Sequence, residues 1–312
     1  MSSSDRAPAR GQAGFTLAEL IVSLVISGLL ATVIFQLVQG QSRFSAMQGA
    51  RAEVQQNSRG ALELITSEIR SLPAGSIESA GENGIGFLLP RAWGLVCTTP
   101  PNSGRVGVVF PPGTFPTEFP TDLTTDTGWG LAMPGAAGGY VAARVTASTV
   151  SGGACPDSLG VPTGNGAVMR QFTYSALPSA VAAPTGTPVY VYQRVEYDVA
   201  LSSSGGPKGY WVRRRSGAGN PEPMAGPLLT TGTGGSTGLR FTYLCPGRAL
   251  TASELAASAN RRRVARIKVA VAMQSRSLTR NTFSANTDQQ QQSDSMTVSL
   301  RNNTGGLACP IL

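Results

Sequence analysis

The feature that most constrains this chain is an apolar run from Phe15 to Val38 in which Glu19 is the only ionisable side chain. At ~1.5 Å rise per residue, a helix over that run is roughly 36 Å long, enough to cross a hydrocarbon core of about 30 Å. A carboxylate inside hydrocarbon is costly unless it is compensated, so Glu19 is expected to have a positively charged partner at its own depth.

Ahead of the run lies a polar segment, Met1 to Gly14, that carries Arg6 and Arg10 and has the form of a short charged targeting label. A secretory signal would place its small-x-small cleavage site just after the apolar stretch. The nearest candidate, Ala50-Arg51-Ala52, lies well past its end. The small residues stand before the run instead, at Ala13-Gly14. A cut between Gly14 and Phe15 would leave the whole helix attached and create an α-amine on Phe15, one helical turn from Glu19.

The string Gly14-Phe15-Thr16-Leu17-Ala18-Glu19, followed by Leu20 to Ile26, resembles the leader junction of type IV prepilins and type II secretion pseudopilins. The resemblance implies that a prepilin peptidase cuts after Gly14 on the cytoplasmic side and methylates the Phe15 amine. Glu19 would then pair with a Phe15 amine, its own or a neighbour's, as helices pack in a filament. Physical chemistry supports a register role for such a pair, because removing one member strands the other away from water. The resemblance also implies partners: the major pilin, other minor pilins and an inner-membrane assembly platform. It implies a single-pass location in the bacterial inner membrane with the N-terminus cytoplasmic, then a place in a pilus or pseudopilus in the periplasm or at the cell surface.

Beyond Val38 the helix need not stop. Phe44, Met47, Ala50, Val54, Ala61, Ile65, Ile69 and Leu72 recur at spacings of three, four and seven, which places an apolar stripe on one face up to Pro73. Gly40, Gly49 and Gly60 weaken the helix locally, and a break near Gly40 is the alternative. With the resemblance, the expected division is a leader at 1–14, a transmembrane helix at 15–38, its amphipathic continuation at 39–72 and a β-rich extracytoplasmic head at 73–312. The fold class that the resemblance implies is α+β and type IV pilin-like: a long helix on an antiparallel sheet with loop-rich insertions.

The head contains most of the 38 glycines and 21 prolines, which favours loops and strands over helices. Strands are expected at Ile85–Leu89, Val106–Phe110, Tyr140–Val150, Val168–Tyr174, Val189–Val199, Gly209–Arg215, Leu239–Leu244, Val264–Met273 and Met296–Leu300. The stretch from Pro111 to Pro134 reads as a loop and Gln289–Gln292 as part of a flexible hairpin loop. Thr251-Ala252-Ser253-Glu254 fits a capping box that starts a short helix. The succession of Arg194-Val195-Glu196-Tyr197, Trp211-Val212-Arg213-Arg214, Gly238 to Tyr243 and Arg263 to Val269 resembles W-type minor pilins and J-type minor pseudopilins. The first of these implies a subunit at or near a pilus tip that primes assembly, the second a component of type II secretion.

Cys97, Cys155, Cys245 and Cys309 lack the close spacing of metal or redox motifs and are disulfide candidates with three possible pairings. Sequence proximity favours Cys97 with Cys155 and Cys245 with Cys309. The net charge of +8 includes clusters at Arg213-Arg214-Arg215 and at Arg261-Arg262-Arg263 with Arg266 and Lys268. Either cluster could meet phosphate or guard a strand edge, so a DNA or surface ligand at the tip is a candidate partner.

The chain has no histidine, which removes the commonest general base and metal ligand. Gly234-Gly235-Ser236-Thr237-Gly238 matches a nucleophile elbow but has no histidine to activate the serine, so a turn is the better reading. Asp122 and Asp126 could contribute to a calcium site, yet no EF-hand spacing surrounds them. No enzyme, no cofactor and no metal are expected.

Overall fold

The computed structural model describes residues 16–73, 75–98, 104–114, 119, 123–134, 140–150, 167–174, 184–202, 209–229, 238–276, 279–280 and 287–301. Helix α1 runs unbroken from Leu17 to Arg70 over 54 residues. Thr16 starts it and Ser71 ends it, the latter through its backbone N–H to Glu68 O and Ile69 O. No break occurs at Gly40. A Cβ at Gly28, Gly40, Gly49 or Gly60 would meet nothing within 4 Å, so these glycines face open space and no packing contact bends the rod.

Burial begins at Ala50 and continues through Val54, Ala61, Leu62, Ile65 and Ile69, one face of the second half of α1. Phe44, expected in the same stripe, is 53% exposed because the head does not reach that far along the helix.

The head opens with β1 (Ile77–Ala80) and the long β2 (Ile85–Thr98), followed by β3 (Arg105–Phe110), β4 (Trp129–Pro134), β5 (Tyr140–Ala143), β6 (Val145–Val150) and β7 (Val168–Tyr174). A meander of β8 (Pro188–Leu201), β9 (Tyr210–Ser216) and β10 (Glu222–Leu228) comes next. Then come β11 (Leu239–Cys245), β12 (Arg248–Ala249), the short helices α2 (Ala252–Ala256) and α3 (Ser258–Arg261), and β13 (Arg266–Gln274). A small hairpin of β14 (Thr279–Arg280) and β15 (Thr287–Asp288) leads to β16 (Gln291–Ser299). The main sheet runs β12-β11-β13-β10-β9-β8-β2-β3-β7-β6, with β16 on β13 and β4 on β8, and every pairing between its strands is antiparallel.

Two hydrophobic cores share the long strands β2 and β8. Ile85, Phe87 and Leu89 with Val195 and Tyr197 pack under α1, together with β9 to β11, β13 and β16. Further along the same pair, Ala92 and Val96 with Val189 and Val191 pack against β3 to β7. Side chains alternate with period two, so Ala92 would point away from the core if the strand continued regularly from Leu89. A register shift between Pro90 and Ala92 restores the facing. Proline donates no ladder bond and is tolerated at such a bulge. That is why β2 continues to Thr98, beyond the end expected at Leu89.

Other expectations are corrected. The Pro111 to Pro134 stretch contains β4, whose residues Trp129 to Met133 are buried without the alternation that marks a half-exposed strand. β10 carries Pro223 and Pro227, which disguised it, and its pairing with β9 is irregular. Gln289–Gln292 is no hairpin loop, since Gln291 opens β16 and pairs with Gln274. The single strand expected from Tyr140 to Val150 is divided at Arg144. The capping box at Thr251 and Glu254 is present, and its Arg248 partner holds the Glu254 carboxyl down at about 2.

Candidate assembly site

At the free end of α1, the Thr16 backbone N–H donates to Glu19 Oε2 at 3.0 Å and its hydroxyl donates to the same oxygen at 3.1 Å. In return, Glu19 N–H donates to Thr16 Oγ1 at 3.3 Å. This capping box places a carboxylate in the first turn, where the helix dipole favours negative charge. It also holds that carboxylate against Thr16, the first described residue. Gly14 and Phe15 themselves lie outside the described residues.

Behind Glu19 the helix is apolar and uncovered: Leu17 is 80% exposed and Leu29 65%. None of the apolar window is buried, and this half is long and apolar enough to cross a membrane. An apolar rod of this length needs lipid or other helices around it.

The other half of α1 is fastened to the head by polar contacts that the sequence did not reveal. Glu68 Oε1 accepts from Arg214 Nη2 at 2.7 Å, and Glu68 Oε2 accepts from Tyr197 Oη at 2.6 Å. The Glu68 and Arg214 side chains are 14% and 21% exposed. Burial, and then the adjacent Glu68 carboxylate, push the Tyr197 phenol far above its usual range. Nearer the membrane, Ser58 donates to Asp294 Oδ2 at 2.5 Å, and Arg51 donates to Gln290 at 2.9 Å. The Arg213–Arg215 cluster is thereby explained as structural, because Arg213 and Arg215 pair with Asp198 and Glu196. The only sequence clue was the alternation on β8, which put Glu196 and Asp198 on one face.

The remaining candidates do not converge on a reactive site. Cys97 and Cys245 are buried in separate clusters, and neither is a free thiol. Cys155 and Cys309 lie outside the described residues, as do Asp122 and the stretch from Gly234 to Thr237. Asp126 makes an exposed 3.7 Å contact with Arg144. Among the described residues no three Cys, Asp or Glu side chains gather as metal ligands.

The uncovered apolar helix and its N-terminal carboxylate are consistent with a membrane-anchored, type IV pilin-like subunit. A family model for the prokaryotic N-terminal methylation motif matches residues 9–35, so the chain is type IV prepilin- or pseudopilin-like. That motif implies processing by a prepilin peptidase and assembly with other pilins, and it points to a structural subunit and not an enzyme. No curated protein and no solved structure matched the chain.

Proposed function

We propose that the chain is a minor pilin of the W/J type, anchored in the inner membrane with its N-terminus cytoplasmic until it enters a type IV pilus. Prepilin peptidase cuts between Gly14 and Phe15 and methylates the new amine. Glu19 then pairs with that amine or with a neighbour's and sets the helix register. The observation that carries this reading is the uncovered apolar rod with a single carboxylate in its first turn, bonded to Thr16. The two-core head supports a scarce subunit at or near the tip that primes assembly, since a lobe of that bulk repeated along a shaft would crowd its neighbours. Cys155 and Cys309 are proposed as the disulfide partners of Cys97 and Cys245, respectively.

Mass spectrometry of the protein from its native host tests the processing. The expected mature chain begins at N-methylated Phe15, and an intact Met1 or a cut elsewhere would overturn the assignment. A deletion strain is expected to lose surface filaments while retaining exoprotein secretion. The opposite phenotype would assign the subunit to a type II secretion pseudopilus.

A further inference from the structure

Of the two arginine clusters, the Arg213–Arg215 group is consumed by ion pairs, whereas in the other Arg266 and Lys268 project from β13 into solvent. Ion pairs among the described residues use neither Arg266, Lys268 nor Arg301. The alternation of β13 buries Ile267, Val269 and Val271 beneath α1, so Arg266 and Lys268 stand on the opposite, exposed side. Cross-strand register then fixes their neighbours. Arg266 lies opposite Ser299, while Lys268 lies between Thr297 of β16 and Thr242 of β11. Arg301 follows two residues beyond Ser299 and is exposed. Ala270 and Ala272 keep the adjoining surface low. Glu82 is held by Arg240, at 2.9 Å, and Asp294 accepts from Ser58, on the side of β16 that faces α1.

We propose that this face of β11, β13 and β16 docks the phosphodiester backbone of duplex DNA without reading its sequence. Cations flanked by hydroxyls are the side chains that contact phosphate oxygens. The face carries no aromatic side chain among its described residues, so it lacks the stacking platform that single strands use. Duplex DNA fits better.

Fluorescence anisotropy of a short labelled duplex against the full chain in zwitterionic detergent tests this, and the readout does not depend on the assembly reading. Three phosphate-contacting cations predict a slope of log affinity on log salt of about −2.7. Arg266→Gln with Lys268→Gln should reduce the slope by about two and weaken binding at least ~10-fold at low salt. Arg144→Gln removes an exposed arginine from the second lobe and should change neither. Circular dichroism confirms that each variant is folded. The proposal falls if the wild-type chain fails to bind at ~20 mM salt, or if Arg144→Gln weakens binding as much as the double variant. It also falls if polyglutamate competes as well as unlabelled duplex at equal charge, which would assign the face to an acidic protein.

Discussion

Replacing Glu68 by alanine isolates the contact that fastens the helix to the head. The carboxylate accepts from Tyr197 Oη at 2.6 Å and from Arg214 Nη2 and Nε at 2.7 and 3.3 Å. With side chains only 14% and 21% exposed, the pair sits mostly out of water. Removing one member leaves the Arg214 guanidinium buried without its counter-charge, a loss of about 3–5 kcal/mol. For a head of this size, each kcal/mol moves the melting temperature by about 2–4 °C, so the apparent Tm in detergent should fall by roughly 6–20 °C. Because Glu68 belongs to α1 and Arg214 to β9, amide exchange should accelerate first over Ala61–Leu72 as that end of the helix undocks. Glu68→Leu combined with Arg214→Met should recover most of the loss, since an apolar pair of similar volume removes both desolvation costs. If each single variant costs under about 1 kcal/mol and the two effects simply add, the pair behaves as a surface contact and the reasoning fails.

Further outcomes can be checked separately. Glu19→Ala should leave cleavage after Gly14 largely intact while reducing incorporation into filaments or tip complexes, read by immunoblot of sheared fibres; normal incorporation would refute the pairing role. Gly14→Leu should block processing, and an unchanged mature mass would count against the proposed cut. Burial raises Tyr192 to about 12, and burial with a hydrogen bond that Tyr140 donates to Tyr190 does the same for Tyr140. A phenol whose folded value lies above its unfolded one contributes fully below pH ~10, and that contribution is lost as pH rises from about 10 to 12. Denaturant titrations should show stability falling over that window, by up to about 1.4 kcal/mol per pH unit for each such tyrosine, and Tyr192→Phe should flatten the fall. Gly128 has φ +79° and a Cβ there would lie 2.0 Å from Gly217 Cα, so Gly128→Ala should lower the apparent Tm by several degrees. Gly60→Ala, where a Cβ meets nothing within 4 Å, should stabilise the helix by about 0.5–1 kcal/mol. Equal effects at the two glycines would refute the contrast.

The sequence alone determined the rod. Its length and its single carboxylate are local properties, encoded within a few turns and needing no distant partner to be read. The α+β class and the amphipathic second half of α1 were also legible, because Val54, Ile65 and Ile69 mark one helical face whatever they pack against. The division of the head and the pairing of its charges emerged only in three dimensions. The bulge at Pro90 and Ala92 carries β2 from one core into the next, yet proline in isolation reads as a strand end. β4 stayed hidden because burial on both faces erases the alternation by which a strand is recognised. Arg214 and Arg266 look alike in a list of arginines. Residues 146 positions apart supply Arg214 with Glu68, whereas strand register sets Arg266 between Ser299 and Leu244, and long-range pairing of that kind leaves no trace in local composition.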